Sequence, residues 1–226
     1  MRKFIFAHKD VELEGYEVIR NDANPDCDHR MFSEIAGYKI LLNRLNSEND
    51  PLKLDDTEFI SLNHYRRVFD KDAYNRMYVP QPMVLPCTIA QQYQQYHNIE
   101  DLIRCGHILK ELFPHLVKNF ENCINSNIFI PYNMCICTVG QFKDYMNFIC
   151  PILDKFKPES YEARMEYINA NKDKYTGEYK NNDPAYQGRI ESFCAERLST
   201  CYWQLIGSQA PVFPARVDLL EQNQTI

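Results

Sequence analysis

Short apolar runs separated by polar, turn-forming stretches dominate the first half of the chain. Such runs predict β-strands, because each spans only a few residues and is bounded by turn formers. The predicted strands lie at residues 3–7, 16–19, 57–62 and 83–85. Between the second and third strands, Phe32, Ile35, Ile40 and Leu41 recur at helical spacing and predict a helix over 31–45. This alternation favours an α/β sheet.

The second half of the chain is more helical. Apolar residues recur every three or four positions in five segments, which predict helices at 89–95, 99–113, 114–123, 141–156 and 186–206. The apolar stretch 128–137 predicts a strand that Pro131 bends or places at a sheet edge. The polar stretch 171–182 is a candidate mobile loop. We therefore expect a single α/β domain over 1–226, with a mixed, mostly parallel sheet flanked by helices.

The size and charge of the chain limit its class. With 226 residues, of which 45% are hydrophobic, it can bury one substantial core. Its 25 Lys and Arg residues against 31 Asp and Glu residues give a net charge of -6, so nucleic acid is not an expected partner. No run reaches the roughly 18 apolar residues of a transmembrane segment, and the apolar run near the N-terminus is too short for a signal peptide. The sequence predicts a cytoplasmic protein, with a peripheral position at the inner membrane as the alternative.

Common metal and nucleotide motifs are missing from the sequence. Nine cysteines include no Cys-x-x-Cys pair and six histidines no His-x-x-x-His pair, so a zinc site is not expected. The glycine loops that bind dinucleotides or P-loop phosphates are also absent. Asp26 and Asp28 precede a helix, and capping it is a better use for them than binding a cation. Asp70 and Asp72 follow an arginine pair and are weak candidates for a divalent metal.

The third predicted strand leads directly into polar residues suited to phosphate. Asn63, His64, Tyr65, Arg66 and Arg67 follow it without a break. In open α/β folds this edge of the sheet binds ligands, and the guanidinium of Arg makes two charge-assisted hydrogen bonds to phosphate. Adjacent side chains on a strand point to opposite faces, so both arginines serve one ligand only if the strand has already ended. A basic strand end that pairs with acidic residues is an equally weighted alternative.

Charged and aromatic residues share one face of the last predicted helix. Arg189, Phe193, Glu196 and Arg197 recur at spacings of three and four. An internal salt bridge is the simpler interpretation, and a Glu196 carboxylate held ready as a base is the functional one. Glu34 lies on the first predicted helix, where residue chemistry alone favours a solvated side chain.

Several segments, taken in order, resemble one bacterial protein family. FISLNHYRRVF at 59–69 is similar to the signature strand of a domain family long filed as of unknown function, found in capsule and O-antigen gene clusters and related to galactofuranosyltransferases. SEIAGY at 33–38, YHNIEDL at 96–102 and RIESFCAERL at 189–198 resemble its first helix, its central histidine segment and its closing helix. The HYRR and AERL segments together are specific, and the resemblance covers nearly the whole chain.

The resemblance implies a GT-A-like glycosyltransferase that uses a nucleotide sugar. We expect a UDP-sugar donor and a glycan or lipid-linked glycan acceptor, with 1–86 as the nucleotide-sugar half and 87–226 as the acceptor or closing half. Ordinary GT-A enzymes hold a metal with an Asp-x-Asp at the strand end that Asn63, His64 and Tyr65 occupy here. The arginines are therefore expected to replace the cation, and dependence on Mn²⁺ or Mg²⁺ stays open.

The resemblance and the residue chemistry together suggest individual roles. The expected catalytic residues are Glu196 as the base, Glu34 as a carboxylate that orients a hydroxyl, and His64 as a rival base. Contacts with the nucleotide sugar are expected from Ala7, His8, Lys9, Asn63, Tyr65, Arg66, Arg67, Arg189 and Arg197. His97 and Asn133 are expected to contact the sugar or the acceptor. Two other classes remain open: transfer to a non-glycan acceptor such as modified DNA or protein, and a non-catalytic relative that binds a sugar nucleotide.

Overall fold

The architecture comes from a computed structural model, which describes residues 1–47, 52–70, 76–156 and 158–220. Within these ranges the strands are β1 (Arg2–Ala7), β2 (Glu17–Arg20), β3 (Phe59–His64), β4 (Arg67–Phe69), β5 (Met77–Pro80), β6 (Met83–Val84), β7 (Ile128–Phe129), β8 (Cys135–Thr138), β9 (Val212–Ala215) and β10 (Val217–Leu219). The α-helices are α1 (His29–Phe32), α2 (Glu34–Leu45), α3 (Ile89–Tyr96), α4 (Ile99–Leu112), α5 (Val117–Ile124), α6 (Val139–Asp154), α7 (Tyr161–Ala170), α8 (Lys172–Tyr175), α9 (Pro184–Gln187) and α10 (Ile190–Gly207). Asp72 lies outside the described residues.

Strand β3 organises the main sheet. It pairs in parallel with β1, which pairs in parallel with β2, and it pairs antiparallel with β8 and β4. The sheet continues from β8 to β5 and β9, and from β4 to β10, while β6 and β7 form a separate two-stranded sheet. The parallel pairings described hold more residues in register than the antiparallel ones. The predicted α/β architecture, a mixed sheet flanked by helices, is confirmed.

The predicted helix over 31–45 is broken by Ser33. This residue has φ 51°, a conformation that is uncommon for any residue other than glycine. Helix α1 ends before it and α2 begins directly after it, so that Glu34 occupies the first turn of α2. The break therefore places a carboxylate and the Ser33 hydroxyl together at the beginning of a helix.

The structure corrects several other element boundaries. The predicted strand over 128–137 divides into β7 and β8, with positive φ at Tyr132 and Asn133, which confirms the expected bend. The last helix begins at Ile190, not at residue 186, because the backbone at Arg189 is not helical. The sequence reading missed β4, β5, β9, β10 and α7, and the predicted loop 171–182 contains the short α8. Within the described ranges no helix is both long and apolar enough to cross a membrane.

Helix α2 packs closely on β1 near Gly37. A Cβ atom added to Gly37 would lie 2.6 Å from Phe6 Cδ1 and closer still to Asn21 Oδ1. Both neighbours are buried, so neither is free to move away. Gly37 is therefore required for the close approach of the helix to the strand.

We expect Gly37→Ala to destabilise the protein by about 1–3 kcal/mol, the usual cost of an added methyl group in a packed interior. Urea unfolding, monitored by circular dichroism, measures this change in the free energy of unfolding. Gly177→Ala is the matched control, because its new Cβ would make only ordinary contacts with Lys180. Equal midpoints for the two variants would contradict the close packing described here.

Candidate active site

A cavity of about 440 Å³ opens beside the carboxyl end of β3. Its volume falls in the range of roughly 300–1,000 Å³ that is typical of small-molecule sites. We call it the main cavity. Its walls come from the β3–β4 turn, from the first turn of α2, from α3 and from α10. The segment before α10, residues 161–189, forms a further wall. The lining residues are Glu34, His64, Arg66, Arg67, Gln92, Tyr96, His97, Phe129, Tyr132, Tyr179, Asn181, Tyr186, Arg189, Ser192, Phe193, Glu196 and Arg197.

A second cavity of about 230 Å³ adjoins the main cavity. Glu34, His64, Arg66 and Arg189 line both, so the two spaces meet at these four side chains. The remaining walls of the second cavity are His8, Asn21, His29, Arg30, Ser33 and Tyr65. The site is therefore a cleft with two compartments, one on each side of a shared set of charged groups.

Glu34 and His64 form a buried pair at the junction of the two cavities. Glu34 Oε1 lies 2.9 Å from His64 Nε2, and His64 Nδ1 accepts a hydrogen bond of 3.1 Å from the Arg66 backbone N–H. Since Nδ1 accepts, the proton of a neutral imidazole lies on Nε2 and is donated to Glu34. Burial is the largest single influence and alone would raise the pKa of Glu34, but the hydrogen bond and charge of His64, with smaller contributions from the Glu34 backbone and Arg189, together lower it. The solvated interpretation of Glu34 is wrong, because only 8% of the residue is exposed.

Both ring nitrogens of His64 are thus engaged within the protein. One holds the backbone of the β3–β4 turn and the other holds Glu34. A ring in this position has no lone pair left for a substrate proton. The predicted role of His64 as a rival base would therefore require one of these two contacts to break.

The β3–β4 turn brings two guanidinium groups to the main cavity. Strand β3 ends at His64, Tyr65 and Arg66 form the turn, and β4 begins at Arg67. Because the strand has ended, the alternation of strand side chains no longer separates Arg66 from Arg67, and both line the main cavity. Arg66 lies over the Tyr65 ring at 4.9 Å, and Arg67 over the Tyr132 ring at 4.4 Å.

Arg189 supplies a third guanidinium from the opposite wall. Its Nε and one terminal nitrogen donate to Ser33 Oγ, at 3.2 and 2.5 Å. The unusual backbone of Ser33 therefore orients an arginine that lies 156 positions further along the chain. The side chain lines both cavities and reaches the same space as Arg66.

Glu196 lies on α10 in the wall of the main cavity. Its Oε1 accepts from the Tyr132 backbone N–H at 3.2 Å, and its Oε2 accepts from Arg197 at 3.0 Å. The side chain is 24% exposed. The surrounding protein still desolvates the carboxylate, and this effect raises the pKa of Glu196 in spite of Arg197. Glu196 is thus a carboxylate with a raised pKa at the wall of a cavity, and its predicted role as a base stays a prediction.

Arg197 is largely buried behind Glu196. It donates to the Phe193 backbone oxygen at 3.1 Å and to Gln92 Oε1 at 2.6 Å, and its guanidinium lies 4.9 Å from the ring centroids of both Tyr93 and Phe129. Only 2% of the residue is exposed. Arg197 contributes charge to the cavity wall, while its terminal nitrogens are held by protein acceptors.

The first strand ends beside the second cavity. His8 lines that cavity, and its pKa is lowered, first by partial burial and then by the positive groups around it, including His29. Lys9 lies with its Nζ 5.2 Å from the centre of the Tyr65 ring, and Tyr65 itself lines the cavity. Ala7 is fully buried in the sheet and lines neither cavity. Of the predicted first-strand residues, His8 is the one that the structure brings to the cleft wall.

Two predicted contact residues are placed elsewhere. The Asn63 amide donates to Phe4 and Ser61 and accepts from the Phe69 backbone N–H, so it fastens three strands together inside the sheet. Asn133 is 3% exposed and its backbone oxygen accepts from Tyr38 at 2.6 Å. Neither lines either cavity. Both lie in the protein interior, where Asn133 Oδ1 has no hydrogen-bond partner among the described residues, and ligand contact by either residue stays a prediction.

The structure adds residues that sequence reasoning missed. They are Asn21, His29, Arg30 and Ser33 in the second cavity and Gln92, Tyr96, Phe129, Tyr132, Tyr179, Asn181, Tyr186 and Ser192 in the main one. The break of the apolar run at Tyr132 was the signal that could have identified one of them. The others range from exposed residues such as Tyr179 to buried ones such as Ser192, and no motif distinguishes them.

The described residues do not assemble a metal site in the cleft. Among them, no group of three or more His, Cys, Asp or Glu side chains could hold a metal ion. Asp70 is exposed at the end of β4, where its N–H bonds to Arg216 next to β10. Asp28 caps α1 by accepting from the Arg30 backbone N–H at 2.9 Å, as the sequence predicted.

Comparison with known proteins agrees with this fold. The chain is similar to a solved structure described as "WbbM bifunctional glycosytransferase apo structure", with a TM-score of 0.65 and 13% sequence identity. The similarity covers 98% of this chain and 45% of that chain, so this chain spans less than half of that protein. At this identity the similarity shows a glycosyltransferase-like fold. No curated protein matches the chain.

A family model adds evidence from the sequence itself. It matches residues 73–206, more than half of the chain, and includes the AERL segment while beginning after the HYRR segment. The matched residues also contain Arg189 and Glu196 of the main cavity. The chain belongs to the family described as "Domain of unknown function (DUF4422)".

Proposed function

We propose that the cleft binds a nucleotide sugar and transfers its sugar to a hydroxyl group of an acceptor. The observation that carries this proposal is the charge of the main cavity. Four guanidinium groups, those of Arg66, Arg67, Arg189 and Arg197, line it against the two carboxylates of Glu34 and Glu196. The protein as a whole has a net charge of -6. A local excess of guanidinium groups in an acidic protein suits a multiply charged anion such as a diphosphate.

The guanidinium groups would serve the leaving group. Breaking the bond between sugar and diphosphate develops negative charge on the phosphate oxygens, and preorganised cations lower the energy of that transition state. Arg66 and Arg189 line both cavities and can reach a diphosphate that lies across the junction. The flat rings of Tyr65 and His8 in the second cavity suit a nucleobase, and with the base there the sugar would lie in the main cavity.

Glu196 would take the proton from the attacking hydroxyl. Oxocarbenium-like transition states need a nucleophile that loses its proton as it attacks, and a carboxylate in the cavity wall can accept that proton. We propose UDP-sugars as the donor class and a glycan or lipid-linked glycan, of the capsule or O-antigen type, as the acceptor. Galactofuranosyl transfer is the specific reaction that the sequence resemblance suggests. Turnover with a protein or DNA acceptor, or binding without turnover, would assign the cleft to one of the alternative classes.

We expect UDP or a UDP-sugar to raise the melting temperature, because a ligand that binds only the folded state stabilises it. The panel consists of UDP-, GDP-, CMP- and dTDP-sugars, each with EDTA and with Mn²⁺. If the arginines replace a cation, the shift persists in EDTA.

Arg66→Gln should weaken this binding roughly tenfold or more, since it removes a charged hydrogen-bond donor. Arg216→Gln is the matched control, because Arg216 is 79% exposed and pairs only with Asp218 among the described residues. The proposal of a sugar-nucleotide site fails if a folded sample shows no shift with any member of the panel. An equal effect of the two variants would remove Arg66 from the site.

A further inference from the structure

His97 is held rigidly in the wall of the main cavity. It follows α3 directly, and its ring stacks on Phe193 with centroids 3.8 Å apart and planes 25° apart. The Tyr93 ring lies 4.9 Å away on α3. Only 5% of His97 is exposed, and the ring still lines the cavity. Packing therefore fixes the plane of the imidazole and leaves one side of it next to the ligand space.

Gln187 determines which nitrogen of this ring carries the proton. Its Nε2 donates to two backbone oxygens, those of Tyr96 at 3.1 Å and Asn181 at 2.8 Å. Only the NH₂ group can donate, so these two bonds fix the orientation of the amide. The amide oxygen therefore faces His97 Nδ1, at 3.4 Å. Because that oxygen can only accept, Nδ1 must be the protonated nitrogen.

The other ring nitrogen is left as a free acceptor. Within the described residues, Nε2 of His97 has no hydrogen-bond partner. Burial, and after it the positive charge of Arg197, lowers the pKa of His97 to about 3. Lys180 and Arg189 add to the same effect. The ring consequently stays neutral at physiological pH, with its lone pair on Nε2.

Most charged groups of the main cavity can donate hydrogen bonds but cannot accept them. The guanidinium groups are donors only. Gln92 Oε1 and both Glu196 oxygens each accept one bond from the protein, and the remaining lone pairs of Glu196 are assigned to the attacking hydroxyl of the acceptor. A sugar hydroxyl needs an acceptor for its hydrogen bond. A neutral imidazole nitrogen can accept this bond without adding a negative charge next to the phosphate.

We propose that His97 is a specificity-determining residue whose Nε2 accepts a hydrogen bond from a sugar hydroxyl, and that Gln187 is the positioning residue that sets its tautomer. The class of group recognised is a neutral hydroxyl donor on a hexose-like ring. The inference rests on the proposed function for the identity of the ligand. The tautomer itself does not depend on that function.

Nuclear magnetic resonance of protein labelled with ¹⁵N-histidine tests the tautomer first. We expect His97 to show a neutral ring protonated on Nδ1 throughout pH 5 to 8. In Gln187→Leu the single tautomer should be lost, whereas a purely structural role of Gln187 would leave the ring signals unchanged. A ring protonated on Nε2, or a doubly protonated ring in this pH range, would overturn the proposal.

Titration with UDP-glucose, UDP-galactose and the corresponding methyl hexosides tests the hydroxyl contact. We expect at least one of these to shift the Nε2 resonance of His97. His97→Phe should weaken that ligand's binding roughly tenfold, whereas His97→Gln, whose amide lies near the position of Nε2, should keep affinity within about threefold. If the Phe variant does not fold, the titration of the unaltered protein decides alone.

The outcomes separate this inference from the proposed function. If a UDP-sugar raises the melting temperature and the Nε2 resonance does not move, the role of His97 is overturned and the sugar-nucleotide site stands. If no UDP-sugar binds and a methyl hexoside moves Nε2, the donor assignment fails and the role of His97 stands. If no probe moves Nε2, the contact is rejected.

Discussion

Glu196→Gln is expected to lower kcat for sugar transfer by about 10²- to 10⁴-fold, the range that a general base contributes. The amide has nearly the same shape as the carboxylate and cannot accept a proton from an acceptor hydroxyl. Nucleotide binding should be retained, because the diphosphate is assigned to Arg66 and Arg189 and not to Glu196. The measurement is the initial rate of transfer from the donor identified by thermal shift, with the melting temperature as a check on folding.

Glu166→Gln is the matched control for this variant, since Glu166 is exposed on α7 and lines neither cavity. A folded Glu196→Gln enzyme with full turnover would reject the assignment of the base. A variant that loses both turnover and nucleotide binding would indicate a wider disturbance of the site. Only the loss of kcat with preserved binding matches a group that acts in the chemical step.

The pH dependence provides a second test of the same residue. A base must be deprotonated to act, so the rate falls tenfold for each pH unit below its pKa. Because desolvation raises the pKa of Glu196, the acidic limb of the rate profile should lie above the ordinary range of a glutamate. This limb should disappear from the residual activity of Glu196→Gln. A limb that persists in the variant would belong to another group.

Local patterns in the sequence predicted much of the central fold. The apolar run 57–62 predicted β3, which the structure extends through Asn63 and His64. Those two polar residues remain in a buried strand because each has partners: Asn63 bonds to neighbouring strands and His64 to Glu34. These partners are distant in sequence. A prediction from residue chemistry alone therefore ends the strand at residue 62, before Asn63 and His64. The strands β9 and β10 were missed for the same reason, since they depend on pairing with β5 and β4.

The candidate site was only partly visible in the sequence. The helical spacing predicted Arg189 and Glu196 on one helix face; both line the main cavity, although Arg189 lies just before α10 and its backbone is not helical. The family resemblance singled out the HYRR segment. No proline or glycine occurs at the helix break at Ser33, so the sequence does not predict it. This break determines the positions of Glu34 and of the Ser33 hydroxyl that Arg189 contacts. Contacts of this kind arise from tertiary packing, which overrides the helical pattern of 31–45.

The segment before α10 forms one wall of the main cavity and depends on a buried ion pair. It contributes Tyr179, Asn181 and Tyr186 to the lining. Helix α7, at the beginning of this segment, is joined to α10 by the bond between Arg164 and Glu191, which are 4% and 0% exposed. Arg164 also donates to the Phe156 backbone oxygen at 3.3 Å. The shape of the cavity wall is therefore linked to the stability of this pair.

Arg164→Met should destabilise the protein by about 3–5 kcal/mol, the usual cost of leaving a buried charge without its partner. Burial raises the pKa of Glu191 to about 7, and Arg164 opposes this rise. With this raised pKa the folded state binds more protons than the unfolded state at mildly acidic pH, so the contribution of Glu191 to stability falls as pH rises towards about 7. Without Arg164, the ionised form of Glu191 is even less favourable in the folded state. The loss measured by urea unfolding should therefore be larger at pH 8 than at pH 5.5.

The double variant Arg164→Met with Glu191→Met separates the ion pair from simple packing. Removing both charges should restore most of the stability, because replacing a buried pair by apolar side chains is often neutral or better. Arg104→Met, an exposed arginine on α4 that donates to the Lys155 backbone oxygen, is the control for loss of a surface cation. If Arg164→Met unfolds like this control at both pH values, the pair does not hold α7 against α10. If the double variant regains stability and also regains nucleotide binding, the pair stabilises the cavity wall without taking part in the chemistry.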